Sequence, residues 1–275
     1  RNATHAVKFL LDAKASLDAV NKERDNAFML TAKVGSVDVA RILIEANADI
    51  DGRDTTDRTP LMRAALNGHS AYVQLLVDAK APLEDVNRTG ATALLFAALK
   101  GQSACVQVLL DAKADANAES NRGMTPLMCA CQNGHTSCTQ MLLTANADIY
   151  ARDQDNTTAL YRAAQGGYAL CTHILLDAYD LEANPHAQED LNAAFLQAAE
   201  KGKEECVQML IDAKADLHAK DDKGDTALVL AACHRDADCA QLLVNAKAYL
   251  TVPNSRDMTP LMIASVAGPT HAQPL

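Results

Sequence analysis

The chain has 275 residues, a formal net charge of −10 at pH 7, and a composition that is 49% hydrophobic but only 4% aromatic. A hydrophobic fraction of this size excludes an intrinsically disordered chain. The acidic balance argues against a sequence-independent nucleic-acid binder, which requires a basic footprint. Because aromatic residues are scarce and tryptophan is absent, the composition favours closely packed helices over a sandwich or barrel of large β-forming residues.

Membrane insertion and disulfide bonding are both disfavoured. No apolar run in the sequence approaches the roughly 18 residues that a membrane helix needs, and the first residues do not form a charged and then apolar leader. Eight cysteines are too few for a disulfide scaffold in a chain of this length. We therefore expect an intracellular protein with reduced thiols, in the cytoplasm or the nucleus.

A period of 33 residues runs through the chain. The segment Thr-Pro-Leu-Met at 59–62 recurs at 125–128 and at 259–262. One position of the period holds glycine in all but one cycle, and its series is Gly35, Gly68, Gly101, Gly134, Gly167, Gly202, Arg235 and Gly268. A period that persists for about eight cycles predicts a repeat architecture.

Each unit is predicted to consist of a helix, a turn, a second helix and a polar loop. In the unit that begins at Thr59, this threonine is the expected N-cap and Pro60 is the first helical residue. Gly68 ends the first helix, because glycine adopts the left-handed conformation at little steric cost. The second helix runs through Leu76, and a polar stretch with turn chemistry follows it. A helix pair this short cannot bury its own apolar face, so stacking on neighbouring units must complete the core.

The repeats follow one another from the N-terminus as a half-repeat at 1–20 and then as full units. The full units are predicted to start near residues 26, 59, 92, 125, 158, 193 and 226, and a second half-repeat occupies 259–275. Two extra residues fall between Tyr179 and Asn192, where 180–186 is predicted to form an irregular hairpin. Since neither end has the polar capping repeat of a solenoid, we expect the segment to be part of a longer chain or assembly.

Several segments carry a family resemblance. They are Thr-Pro-Leu-x-x-Ala-Ala-x-x-Gly-His at 59–69, Thr-Pro-Leu at 125–127 with Gly134-His135, and Leu-Leu-x-Ala-x-Ala-Asp at 109–115 and 142–148. On these residues the sequence resembles an ankyrin-repeat protein over essentially its whole length. The resemblance implies an all-α solenoid of about eight 33-residue helix-turn-helix units, joined by β-hairpin-like fingers and forming a single domain over residues 1–275.

The sequence departs from the family pattern after the second helix. The family prefers glycine there, whereas this chain has Lys14, Asn47, Lys80, Lys113, Asn146, Lys214 and Lys247. We expect left-handed backbone at these positions, which costs a lysine about 1 kcal/mol. A cation at the end of a helix recovers about 0.3–1 kcal/mol through the helix dipole, so the two effects nearly cancel.

Three segments resemble chemical motifs, and each has a simpler interpretation. Cys129-x-Cys131-x3-His135-x2-Cys138 has the soft ligands of a zinc site, but the repeat register places Cys131 and Cys138 in buried columns. His234-Arg235-Asp236 imitates a kinase triplet without the accompanying asparagine or glycine-rich loop. Asn117 is similar to an asparagine that is hydroxylated in some family members, and a plain loop residue is the favoured interpretation. We therefore predict no catalysis, no cofactor and no metal.

The resemblance implies that a partner protein binds the concave surface formed by the fingers and the first helices. Mapped by register, the predicted partner-binding residues are Arg58, Arg63, Leu66, Asn67, Phe96, Leu99, Lys100, Arg122, Gln132, Asn133, Arg162 and Gln165. Because arginine favours bidentate contacts with carboxylate and phosphate, one hypothesis is an acidic or phosphorylated partner segment with Phe96 as its apolar anchor. A solvated surface of mixed charge is the alternative.

Three functions remain open at this point. The leading one is a non-catalytic scaffold for protein–protein interaction. The second is the ankyrin-repeat region of a larger enzyme or channel, whose active parts lie outside this segment. The third is a rigid structural spacer in an assembly. We expect neither a nucleic acid as a partner nor insertion into a membrane.

Overall fold

The structure, a computed structural model, describes residues 2–181 and 184–266. Sixteen helices run through these residues, and no β-strand occurs among them, which confirms the all-α prediction. The chain divides into two compact units, which we describe one at a time. Unit 1 comprises residues 1–130 and 135–148, and unit 2 comprises residues 131–134 and 149–275.

The helices alternate between first and second helices of successive repeats. Those that begin in unit 1 are α1 (Asn2–Asp12), α2 (Ala27–Val34), α3 (Val37–Glu45), α4 (Pro60–Asn67), α5 (Ser70–Asp78), α6 (Ala93–Leu99), α7 (Ser103–Asp111), α8 (Pro126–Gln132) and α9 (Thr136–Thr144). Those of unit 2 are α10 (Ala159–Gly166), α11 (Ala169–Asp177), α12 (Ala187–Glu200), α13 (Glu204–Asp212), α14 (Ala227–His234), α15 (Ala237–Asn245) and α16 (Pro260–Val266). None of the helices in the described residues is long and apolar enough to span a bilayer.

Threonine caps start most of the first helices, as the sequence predicts. The hydroxyl oxygen of Thr59 accepts a hydrogen bond from the backbone N–H of Met62 at 3.3 Å, which satisfies one donor that the helix start leaves unpaired. The same contact is made by Thr92, Thr125, Thr158, Thr226 and Thr259.

One helix begins earlier than expected. We placed a repeat start near residue 193, but α12 begins at Ala187 and extends over 14 residues to Glu200. Glu189 and Asp190 lie in its first turn, where the helix dipole favours negative charge. The predicted irregular hairpin at 180–186 includes residues 182 and 183, which lie outside the described residues, as do residues 267–275 of the C-terminal half-repeat.

Each finger is a turn that one polar side chain holds closed. Asp54 Oδ1 accepts hydrogen bonds from the backbone N–H groups of Thr56 at 2.7 Å and Arg58 at 3.0 Å. The residues that make the equivalent pair of contacts in the other fingers are Asn21, Asn87, Ser120, Asp153, Asp221 and Asn254. Since the described residues contain only an isolated bridge between Lys220 and Thr226, the fingers are side-chain-held turns and not strand pairs.

The backbone after seven of the eight second helices in the described residues is left-handed, as predicted, and the exception follows α11. Lys113 has φ 70°, and its N–H donates to the carbonyl oxygen of Leu110 at 2.9 Å. Positive φ recurs at every predicted member of the column, namely Lys14, Asn47, Lys80, Lys113, Asn146, Lys214 and Lys247. A lysine Cβ is therefore strained at five of these seven positions.

Glycine at the end of the first helix is required by two constraints at once. Gly101 has φ 67°, and a Cβ at this position would lie 2.5 Å from Nδ1 of His135. The imidazole in turn places Nε2 3.1 Å from the carbonyl oxygen of Leu99. In unit 1, the turn of one repeat thus contacts the helix end of the preceding one, and a side chain larger than hydrogen would displace that contact.

Alanine and cysteine fill the interior between helices. Ala64 and Ala65 of α4 and Ala97 and Ala98 of α6 are all fully buried, which allows these neighbouring helices to pack closely. Seven of the eight cysteines are buried as well. Burial raises the pKa of Cys105 to about 11, so this thiol stays protonated and behaves as a small apolar side chain.

The left-handed lysines lead to a first prediction. Lys113→Gly should raise the free energy of unfolding by up to about 0.7 kcal/mol, because glycine removes about 1 kcal/mol of steric strain at positive φ while loss of the cation costs about 0.3–1 kcal/mol. Urea unfolding followed by circular dichroism measures the change. Lys113→Ala is the matched control, since it removes the charge and keeps the Cβ, and we expect no gain from it. A destabilised Lys113→Gly variant would show that the cation's interaction with the helix end outweighs the strain.

Candidate partner-binding surface

The first helices of unit 1 present a mixed apolar and polar surface. Leu66 near the end of α4 and Phe96 and Leu99 on α6 are half-buried, whereas Asn67 and Lys100 are exposed. The amide of Asn67 donates to the backbone carbonyl oxygen of Arg63 at 2.8 Å, so this side chain also caps its own helix. Three apolar and two polar side chains on or just after these two helices are therefore at least partly accessible to solvent.

Arg63 does not lie on that surface. It is 7% exposed, and its guanidinium lies between two buried carboxylates. Nη2 is 2.6 Å from Asp25 Oδ1 and 2.7 Å from Asp54 Oδ2, while Nε donates to Asp54 Oδ2 at 3.0 Å. A guanidinium held in this way is part of the interior of unit 1. A charge reversal at Arg63 would therefore test folding and not partner binding.

The carboxylate of Asp54 is the centre of this network. Burial alone would raise its pKa, but hydrogen bonds from Thr56, from the Arg58 backbone and from Arg63 outweigh burial and hold the pKa of Asp54 well below its usual value. The carboxylate therefore remains charged at every pH at which the protein is expected to function, and it joins a finger turn to a first helix.

The other finger arginines of unit 1 also contact carboxylates. Arg58 donates from Nε to Thr56 Oγ1 at 2.7 Å and to Asp54 Oδ2 at 3.2 Å. Arg53 and Arg88 each bind a carboxylate of another finger, at 2.8 Å in both cases. Arg122 is exposed. Neighbouring carboxylates thus neutralise most of the positive charge that the sequence places on these fingers.

Unit 2 repeats the arrangement. The guanidinium of Arg162 contacts Asp153, and Arg152 lies 2.6 Å from the buried carboxylate of Asp190. Hydrogen bonds from Arg162 and Thr157 lower the pKa of Asp153 against the opposing effect of burial. Of the predicted polar residues, the structure places Gln132 and Asn133 at exposed positions and Gln165 at a half-buried one.

A regular spacing underlies both buried ion pairs, and sequence reasoning missed it. Asp54 precedes Arg63 by nine residues, and Asp153 precedes Arg162 by nine residues. In each case the carboxylate closes the finger turn and the arginine follows on the next first helix. An aspartate nine residues before an arginine in this register is thus a sequence signal for an arginine that contacts its own finger.

Unit 2 also contains a groove that the sequence did not reveal. It lies between α12, α14 and the finger at 216–223, and its volume is about 570 Å³. The residues that line it are Tyr161, Glu189, Asn192, Ala193, Leu196, Gln197, Glu200, Asp216, Ala219, Lys220, Asp221, Asp222, Lys223 and Leu230. Leu196 and Leu230 are buried at its floor.

The segment that resembles a zinc site contributes its cysteines to the interior. Cys129, Cys131 and Cys138 are buried, as the register predicted for the last two. Within the described residues, the acidic and thiol groups that approach one another closely enough to suggest a metal are Glu204, Asp236 and Asp238.

Asn117 joins neighbouring loops of unit 1. Its Oδ1 accepts a hydrogen bond from the backbone N–H of Asp148 at 2.7 Å, and its Nδ2 donates to the carbonyl oxygen of Asn146 at 3.4 Å. A bridging role of this kind accounts for an asparagine at this position.

Comparison with known proteins agrees with the helix pairs and finger turns. The family model described as ankyrin repeats (three copies) matches residues 1–89, 54–120, 94–190 and 195–273. The chain belongs to the ankyrin-repeat family. Its fold is similar to that of the human ASB11 ankyrin repeat domain, known from a crystal structure, with a TM-score of 0.72 and 26% sequence identity. The match covers 81% of this chain and 98% of that one.

A search of curated protein sequences gave no match. Ankyrin repeats are generally modules of protein–protein interaction, and the family is typically non-catalytic.

The Asp54 network gives a second prediction. Asp54→Asn should lower the free energy of unfolding at pH 7 by about 2–3 kcal/mol, because it removes a charged acceptor from a buried guanidinium. The pKa of Asp54 is depressed in the folded state, so its stabilisation is present above the unfolded pKa of about 3.9 and is lost as the pH falls through the folded pKa. The gap between wild type and variant should therefore narrow below pH 4.

Urea unfolding at pH 7, 5, 4 and 3 measures this gap. Asp85→Asn is the control, because Asp85 pairs with Arg53 at a partly exposed site and should contribute less than about 1 kcal/mol. Equal effects of the two substitutions at pH 7, or a gap that widens in acid, would contradict the assigned role of Asp54.

Proposed function

We propose that this ankyrin-repeat chain is a non-catalytic scaffold that binds a partner protein on the surface formed by its fingers and first helices. The observation that carries the proposal is the half-buried apolar strip of Leu66, Phe96 and Leu99 in unit 1, which has Asn67 and Lys100 exposed at its edge. A large aromatic side chain with polar groups around it is typical of an interface anchor. An intracellular location, in the cytoplasm or nucleus, is part of the same proposal.

The partner-binding residues that we propose are fewer than the sequence suggested. Arg58, Arg63 and Arg162 contact internal carboxylates, so their charges are not assigned to the partner. The hypothesis of an acidic or phosphorylated partner segment then depends on the exposed cation Lys100 in unit 1. In unit 2, Gln132, Asn133 and Gln165 are proposed as polar contacts.

Affinity capture from native extract, followed by quantitative mass spectrometry, tests this surface. The bait variants are Phe96→Ala and Lys100→Glu, each alone and both together. We expect the double variant to capture its genuine partners at a yield at least fivefold below that of wild type. Truncation of an anchor residue commonly costs about 1–2 kcal/mol or more. Circular dichroism confirms that each bait remains folded.

The matched control is Val108→Ala with Lys113→Glu. It truncates a half-buried apolar residue and reverses an exposed lysine, but on and just after the second helix α7. If the two double variants capture the same proteins in the same amounts, the proposed surface is wrong and a spacer function is favoured. If Phe96→Ala lowers capture and Lys100→Glu does not, the scaffold stands and the acidic partner segment is rejected.

A further inference from the structure

We propose that the groove of unit 2 binds an extended protein segment in which lysine or arginine side chains alternate with apolar ones. The inference deepens the scaffold function and rests on it. It assigns a basic partner segment to unit 2, whereas the arginines in the sequence suggested an acidic or phosphorylated one.

The groove has an excess of negative charge. Five carboxylates line it against two ammonium groups, which leaves three negative charges in excess. One of the two cations is already engaged, because Lys220 Nζ donates to the backbone carbonyl oxygen of Pro253 at 3.1 Å. The five acidic residues are Glu189, Glu200, Asp216, Asp221 and Asp222. Like charges held together in this way attract a cationic partner from solution.

Backbone N–H groups hold one oxygen of two of the carboxylates, and the other oxygen of each remains available as an acceptor. Asp216 Oδ1 accepts from the N–H of His218 at 2.9 Å, and Asp221 Oδ1 accepts from the N–H groups of Lys223 and Asp225 at 2.9 and 2.8 Å. Within residues 2–181 and 184–266, the second oxygen of each carboxylate accepts no hydrogen bond. Since both residues line the groove, these oxygens can accept from a bound ammonium or guanidinium.

Glu200 is oriented by a chain of hydrogen bonds at one oxygen, and its other oxygen lies 3.5 Å from Nζ of Lys201 in a partly exposed ion pair of a kind that contributes little. The hydroxyl of Tyr161 donates to Gln197 Oε1, and Gln197 Nε2 donates to Glu200 Oε2 at 2.8 Å. Gln197 is buried. Burial and the charge of Glu200 raise the pKa of Tyr161, so the phenol remains a donor. A carboxylate fixed before binding loses little conformational freedom when a cation arrives.

The floor of the groove suits the stems of long basic side chains. Leu196 and Leu230 are buried beneath it, and Ala193 is exposed at its side. The methylene groups of lysine and arginine pack on apolar surface of this kind while their charged ends reach polar groups. Within the described residues, no three of the groove carboxylates bring their oxygens within 4.8 Å of one another. Their spread favours several separate cations on a segment over one metal ion.

Selection from a random nonapeptide phage library tests the proposal, with EDTA in the buffer. Wild type serves as the bait, and selected peptides are measured by fluorescence anisotropy at 50 and 300 mM NaCl. We expect them to be enriched in lysine, arginine and leucine, and to bind at least tenfold more weakly to Glu200→Gln with Asp222→Asn. Their affinity should fall at the higher salt concentration, because the contacts are between charges.

The control variant is Glu205→Gln with Asp212→Asn, which makes the same change of net charge on α13, outside the groove. We expect it to weaken binding less than twofold. The proposal is overturned if both variants weaken binding equally, if groove-dependent peptides are richer in aspartate and glutamate than in lysine and arginine, or if the library yields no groove-dependent peptide.

The two proposals can fail separately. If no groove-dependent peptide is found but Phe96→Ala still lowers partner capture, the basic segment is rejected and the scaffold function stands. If groove-dependent basic peptides are found and the first-helix variants capture every protein that wild type does, the groove is confirmed as a peptide site and the surface proposed on unit 1 is rejected.

Discussion

The close packing of neighbouring first helices is the contact on which each unit depends. The first helices of unit 1 have seven or eight residues, which is below the length at which an isolated helix is stable in water. They persist because fully buried alanines, such as Ala64 on α4 and Ala97 on α6, let adjacent helices approach and share one core. The shortage of aromatic residues follows from the same requirement, since a ring at these positions would hold the helices apart.

The same packing also determines which charged side chains are buried in internal ion pairs. The finger turns lie beside the first helices, so an arginine such as Arg63 comes within 3 Å of Asp54 and Asp25 and is buried with them. A bidentate ion pair in the interior recovers its desolvation cost only when its geometry is good, and this requirement fixes finger and helix in one register. The charges of Arg63 and Arg162 are thus engaged by finger carboxylates, and the partner contacts proposed above exclude them.

Local rules predicted most of the fold, and their failures occurred where contacts are long-range. The 33-residue period, the threonine caps at Thr59 and its equivalents, and the left-handed backbone at Lys113 are all set by neighbours in sequence. The surroundings of the candidate residues were harder to predict, because register shows which face a side chain occupies and not what it contacts across the repeat. Arg63 was therefore assigned to a partner, and the groove lined by Glu200 and Asp216 went unseen because its residues come from separate elements.

The contacts between repeats span about one period, and this has a consequence for how such a chain changes in length. His135 reaches Leu99 across 36 residues, and the Asn121 amide donates to the Arg88 carbonyl oxygen across 33. Duplication or loss of a complete repeat restores every such pair with an equivalent one, whereas an insertion of any other size separates a glycine from the side chain that covers it. Genes of this type are thus expected to grow by whole repeats, and to tolerate odd lengths only where a helix boundary can move, as at α12, which begins at Ala187 and has 14 residues.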